Sequence, residues 1–375
     1  MRFPVTAVIA RTLISSDLRA SEIASASSMP GSVSMRTFFM LAPSFAGQSQ
    51  FSGANDQGYG KHNNKRIMAG RSHVGYTAIL SHIVIDEIYA AGALRAVSEV
   101  GGAGAYAAIG ASLAGRAWDS ALVSGVGSED RIALSGWCAH RQIDSSGLFV
   151  ASEHSPRTRI EYYADGERDE TPVFGLEHFD AHTPLPEHIP FAPTDLRGTY
   201  LFHAHESEYW SKISDFRSRS TSPILWELSR DSCSPMLLGT VVERAQLVDI
   251  VSINRTEAFA LLATSTVEET IHRLRDFSTT VLLRLGHEGS VIVDGTYSVA
   301  IPPVKVRVVD PTGGGNSYSG AFIAAFAVSG NLADAGRLAA ASAGLVISQQ
   351  GAPLVSDTER DWVEESAGSL TLRTI

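Results

Sequence analysis

The chain has only two cysteines, Cys138 and Cys233, in 375 residues. That is too few for a disulfide framework, and they lack the paired spacing of a zinc site, so a reducing compartment is the expected home. No run of about 18 uncharged apolar residues occurs either, because Gly, Ser, Asp or Arg interrupts the hydrophobic stretches; this argues against a membrane span. Basic residues are the minority, 30 Lys and Arg against 40 Asp and Glu for a net charge of −10, which disfavours nucleic acid as a partner. Two chemical signatures are missing as well. No lysine follows the glycines near residue 314, which removes the P-loop, and no G-x-S-x-G elbow is present. What is there is 44% hydrophobic and 19% charged, enough to bury one large core or two smaller ones.

The first 70 residues differ from the rest. They hold eleven Ser, five of the six Met and seven Lys or Arg against three acids. An acid-poor, Ser- and Arg-containing start suits an organelle transit peptide, while a disordered extension or a start at Met68 suits it equally. A cytoplasmic protein is the expectation, with targeting by residues 1–70 left open.

After residue 76 short β-branched runs alternate with Ala-rich helical stretches. Residues 79–85, 121–126, 199–203, 223–228, 248–253 and 280–285 read as buried strands; 129–140, 206–216, 255–263, 267–277, 315–329 and 332–348 read as helices. Such alternation predicts an α/β fold with a mostly parallel sheet flanked by helices. Residues 148–152 and 158–163 instead alternate at period two and predict a small antiparallel β lid near 148–163. One domain over residues 77–353, followed by a tail at 354–375, is the expected organisation.

The segment Asp310-Pro311-Thr312-Gly313-Gly314-Gly315-Asn316 leads from a predicted strand into an Ala-rich helix. Consecutive glycines let backbone approach a ligand, and unpaired N–H groups at a helix start favour an anion; tight turns use the same residues. A second glycine-rich stretch, Gly101-Gly102-Ala103-Gly104-Ala105-Tyr106, opens another small-residue helix. Gly102, Gly104 and Ala107 fit the G-x-G-x-x-A pattern of dinucleotide sites, but no acid closes the next strand at the required distance.

These segments, with Asn254-Arg255-Thr256-Glu257 and Leu285-Gly286-His287-Glu288-Gly289 between them, stand in the order found in the PfkB/ribokinase family of carbohydrate kinases. The chain resembles that family over residues 77–353. The pairing of its two glycine-rich segments is similar to a divergent branch that includes the fungal maintenance-of-killer proteins. The resemblance implies a Rossmann-like ribokinase fold with a β lid, ATP and Mg²⁺ as phosphoryl donor and metal, and a small-molecule hydroxyl as acceptor. It assigns Asp86 to substrate hydroxyls and lays Gly102 and Gly104 against the substrate. Asn254 and Glu257 match the N-x-x-E motif that organises magnesium, water and phosphate, with Glu257 acting through water rather than by direct ligation; Gly286 falls against the nucleotide. Gly313, Gly314 and Gly315 match the anion hole. No membrane or nucleic-acid partner is implied, and a homodimer is left open.

Two departures stand out. The family's loop ends in an Asp that serves as general base, and this chain has Asn316, an amide that cannot take a proton. Loose phosphoryl transfer leans mainly on positioning and electrostatics, so a slow kinase and a nucleotide-binding pseudokinase both remain open. Asp310 is an alternative base. Where many members place a sugar-binding Asn the chain has Tyr106, expected to narrow the pocket and offer a stacking face. Outside these motifs, His203 and His205 at a strand end are the candidates for a metal-hydrolase site, and Arg157 or Arg159 are the lid cations best placed to reach substrate.

Overall fold

The computed structural model describes residues 75–163 and 168–375; the expectations for residues 1–70 lie outside the described residues. The centre is a run of parallel strands, β1 (Tyr76–Leu80), β4 (Ser120–Gly127), β8 (Leu196–His203), β9 (Ile224–Leu228), β10 (Ile250–Asn254) and β11 (Thr280–Arg284). Every residue of β4 and β9 is buried, as expected for strands covered on both faces. The large sheet runs β14 (Arg373–Thr374), β13 (Tyr297–Ile301), β12 (Ser290–Asp294), β11, β10, β9, β8, β1, β4, β5 (Leu148–Ser152). Pairing is parallel from β11 to β5 and antiparallel from β11 outward to β14.

Each face carries its own apolar cluster. On one, Ile79, Leu122, Tyr200 and Leu282 pack against α1 (Ala103–Ala114), α8 (Gly314–Ser329), α9 (Leu332–Ile347) and α10 (Asp357–Gly368). On the other, Leu80, Val123, Leu201 and Trp226 pack against α4 (Ser207–Arg217), α5 (Leu238–Ala245), α6 (Arg255–Leu262) and α7 (Val267–Leu274). Contact between α1 and α8 is backbone to backbone. A Cβ on Gly110 would strike the carbonyl of Ser317, and one on Gly320 the carbonyl of Ala107. That intimacy is what fixes the start of α8 over the sheet.

A second, four-stranded sheet forms the lid, in the order β3 (Val97–Gly101), β2 (Val84–Tyr89), β6 (Arg157–Tyr162), β7 (Arg168–Pro172). Its inner pair, β2 and β6, is parallel and its outer pairs are antiparallel. Three expectations are corrected here. The apolar run 79–85 is two strands: β1 ends at Leu80, and β2 begins at Val84 in the lid, because hydrophobic periodicity does not register a change of sheet. Residues 148–152 belong to the large sheet, where β5 is an edge strand and therefore half-exposed, with the same period-two pattern as a lid strand. Residues 354–375 are not a tail. A Ser356 to Glu359 capping box starts α10, Val363 and Ala367 enter the core, and Arg360 donates from Nε to the Ser112 carbonyl at 3.0 Å. β14 then pairs with β13.

Candidate active site

The carboxyl ends of parallel strands form the ligand edge of an open α/β sheet. The ends of the neighbouring strands β9, β10 and β11 carry polar side chains here. Glu227 of β9 is level with Ser252 of β10, and Arg284, the last residue of β11, is level with Asn254. Ser252 is small and hydrogen-bonds Ser319 of α8 at 2.9 Å, which leaves room for the Arg284 side chain to reach across β10. Arg284 Nη1 lies 2.8 Å from Glu227 Oε1, in a pair whose side chains are 13% and 3% exposed. The same carboxylate accepts from the Tyr200 hydroxyl at 2.9 Å and from Asn316 Nδ2 at 3.1 Å.

Burial works against the charge of Arg284, yet the carboxylates of Glu227 and Glu257 outweigh it and hold the guanidinium above its ordinary range. Burial, and then Glu227, push the Tyr200 hydroxyl well above its ordinary range, so it remains a donor. With Asn316 Nδ2 committed to Glu227, the amide oxygen is the end that faces other duties. It can accept a hydrogen bond from a hydroxyl but cannot remove the proton.

Each of the three glycines before Asn316 answers to a neighbour. Gly313 caps α8 with φ +75°, and a Cβ there would fall inside the ring of Tyr106. A Cβ on Gly314 would lie 2.7 Å from Ile347 Cγ2, and one on Gly315 would strike Arg284 Nη1. No side chain caps the first turn of α8 and no acid lies in it; the Gly314 amide donates to the Pro311 carbonyl at 3.3 Å, and the turn has the uncapped partial positive charge that suits an anion. Asp310 is occupied elsewhere: Oδ1 accepts from the Thr312 amide at 2.9 Å and Oδ2 from the Gly351 amide at 3.4 Å. These bonds shape the glycine turn, which leaves Asp310 poorly suited to replace the missing base.

On the lid side, Asp86 sits within β2, opposite Glu99 and Thr158, with its carboxylate over Gly101. The missing side chains of Gly102 and Gly104 face backbone: a Cβ on either would lie 2.7 Å from the His82 carbonyl oxygen. Their first service is thus to let α1 meet the β1–β2 connection. Tyr106 is only 5% exposed and wedges against Gly313, so it offers no open stacking face, contrary to expectation. Its hydroxyl is pushed up by burial and then by Asp310, Asp86 and Glu99, which places three acids around it.

Asn254 and Glu257 form a full capping box, with Asn254 Oδ1 accepting from the Glu257 amide at 3.0 Å and Glu257 Oε2 from the Asn254 amide at 3.2 Å. Burial raises the Glu257 pKa, against the pull of Arg284. Gly286 follows Arg284 closely, at φ +64°, with open space where a side chain would be. The remaining candidates are accounted for by other contacts. His203 Nδ1 is 3.1 Å from Glu206 Oε2 and its ring stacks on Tyr209, while His205 pairs with the Ser232 hydroxyl at 3.2 Å. The two imidazoles have separate partners, and among the described residues no group of three or more His, Cys, Asp or Glu could hold a metal. Arg157 ties the lid to the body through Asp130 (3.2 Å) and Glu129 (3.2 Å) and pairs with Glu87 of β2 within the lid (3.7 Å), while Arg159 lies over the Tyr89 ring.

Glu227, Arg284 and Tyr200 were not among the residues singled out from the sequence. Their signal was present: an acid inside Ile-Leu-Trp-Glu-Leu and an arginine closing Thr-Val-Leu-Leu-Arg are charges within buried strands, which demand a partner.

With this geometry in view, the comparisons with known proteins are consistent. The profile of pfkB family carbohydrate kinases matches residues 93–359. A ribokinase from Lactococcus lactis is 33% identical over 180 residues, 44% of this chain and 57% of that protein, so the match spans little more than half the relative's length. Protein MAK32 of Saccharomyces cerevisiae is 30% identical over 169 residues, 39% of this chain and 47% of that protein, in line with the divergent branch read from the motifs. A ribokinase from Cryptococcus neoformans, solved in complex with ADP, shares the fold with a TM-score of 0.64 at 17% identity, over 78% of this chain and 99% of that one.

Proposed function

The chain belongs to the pfkB family of carbohydrate kinases, and on that premise we propose that it is a slow ATP-dependent phosphotransferase acting on a hydroxyl of a small polar molecule such as a sugar, polyol or nucleoside. The observation that carries this reading is the first turn of α8. Three glycines crowded by Tyr106, Ile347 and Arg284 present an uncapped helix start at the carboxyl edge of the sheet, the arrangement suited to a transferring phosphate. In the reaction the acceptor oxygen bonds to the terminal phosphorus as the bridging P–O bond breaks, ADP departs, and the hydroxyl proton passes to solvent or phosphate. Asp86 would orient the acceptor and the Asn316 amide oxygen would receive its hydrogen bond.

Magnesium would neutralise phosphate oxygens in such a site. With no three-ligand protein cluster among the described residues, Glu257 would meet it through water and the phosphates would supply inner ligands. A second reading, a pseudokinase that binds nucleotide without turnover, is favoured by one feature: the residue at the base position is an amide committed to Glu227. Calorimetric titration of ATP with and without Mg²⁺, followed by a screen of sugars, polyols and nucleosides for ADP release, tests both. Absence of nucleotide binding at millimolar ATP rejects the phosphotransferase; binding without turnover on any acceptor selects the second reading.

A further inference from the structure

We infer that Arg284 is the charged anion-binding residue of this site, held in reserve by Glu227 and released to the terminal phosphate when one occupies the glycine turn. The inference deepens the phosphotransferase reading and rests on the location that reading assigns to the phosphates.

Three observations converge. First, the guanidinium lies where a Gly315 side chain would be, so it contacts the first turn of α8 directly, and Gly315 is required for it to do so. A full positive charge there adds to the partial charge of the helix start. Second, among the described residues Arg284 Nη1 pairs with Glu227 Oε1 at 2.8 Å, and Arg284 Nε is buried without a hydrogen-bond partner. A buried guanidinium has five N–H donors and gains most when several are used, so this one is under-satisfied as it stands. Third, Glu227 does not depend on Arg284 alone. It also accepts from Tyr200 and Asn316, so it stays hydrogen-bonded when the arginine turns toward a ligand.

This arrangement makes Glu227 and a bound phosphate competitors for one cation. Charge, rather than proton removal, then becomes the main electrostatic contribution of the protein in a site whose base position holds an amide. That is chemically coherent, because a loose phosphoryl transfer state places its charge on the equatorial oxygens.

The competition gives substitutions of opposite sign. Inorganic tripolyphosphate, titrated calorimetrically into the full chain at low ionic strength, serves as the probe. Arg284→Met is expected to weaken binding at least about 10-fold, and Arg284→Lys to weaken it less, by about 3-fold to 10-fold, because the charge remains while the fork geometry is lost. Glu227→Gln is expected to tighten binding about 3-fold to 10-fold, since it frees the cation and removes a nearby negative charge. A merely structural pair would weaken binding in both directions. Weaker binding by folded Glu227→Gln, or affinity within twofold of wild type for folded Arg284→Lys, overturns the inference. Should Arg284→Met fail to fold, the other two variants decide. Loss of this pattern with ATP turnover intact rejects only the role of Arg284; the pattern retained without turnover on any acceptor rejects the phosphotransferase and leaves the anion site standing.

Discussion

Restoring the family's carboxylate by Asn316→Asp looks like the direct route to a faster enzyme, but the structure argues that this single change creates a repulsion. Asn316 Nδ2 donates to Glu227 Oε1 at 3.1 Å. An Asp at 316 would replace that donor with a second carboxylate oxygen facing the first. At about 3 Å and an effective dielectric of about 20, two unit charges repel by about 5 kcal/mol. Arg284 is shared between them and offsets part of this, leaving a cost of about 2–4 kcal/mol, or a pKa for the new Asp raised by about two to three units. Because the folded-state pKa is raised, the penalty is absent below the unfolded value near 4 and grows as pH rises through the folded value. Melting curves of wild type and Asn316→Asp from pH 4.5 to 8 should therefore diverge with rising pH, with the variant lower by about 4–8 °C at pH 8. Adding Glu227→Gln removes the repulsion while Arg284 keeps an anionic partner, so the double variant should regain most of the loss and show the higher ATP turnover of the two. Equal melting temperatures for wild type and Asn316→Asp across this range would refute the argument. It would mean that Glu227 does not face position 316 as a charge.

Other expectations follow from contacts already described. Gly313→Ala combines a left-handed backbone, costing about 1–2 kcal/mol, with a methyl inside the Tyr106 ring; calorimetry should show loss of nucleotide binding, and unchanged affinity would show that the turn has room. Gly320→Ala inserts a methyl against the Ala107 carbonyl, and overpacking of about 1–3 kcal/mol or more should lower the melting temperature and raise the unfolding rate. His82 Nε2 donates to the Phe179 carbonyl at 3.0 Å, and burial lowers the imidazole pKa from 6.5 to about 4. Stability from keeping it neutral is complete above pH 6.5 and is lost as pH falls toward 4, on the order of 2–3 kcal/mol. His82→Gln should flatten that part of the stability profile measured by denaturant titration, and an unaltered profile would assign the acid sensitivity to other groups.

The legible part of this protein is the part that local chemistry writes directly. Parallel strands buried on both faces produce continuous apolar runs, and small-residue helices between them produce a covered sheet, so the α/β class followed from alternation alone. The glycine turn was legible because three glycines ahead of a helix have few uses. The lid was only half legible: an edge strand such as β5 and a true lid strand such as β6 are both half-exposed, and period two records exposure without recording which sheet supplies it. Assignments drawn from motifs also concealed double duties. Asn254 and Glu257 cap α6, and Gly102 and Gly104 admit a neighbouring backbone, so residue identity at these positions has a structural cause before any ligand is considered. The buried pair was overlooked for the converse reason. Glu227 and Arg284 are 57 positions apart and meet only because β9, β10 and β11 are neighbours in the sheet. Yet a charge within an apolar strand cannot remain unpaired at tolerable cost. Matching each such acid to each such base, with the sheet order as the constraint, would have brought Glu227 and Arg284 together. It would also have placed them beside Asn316, at the point where the chain departs from its family.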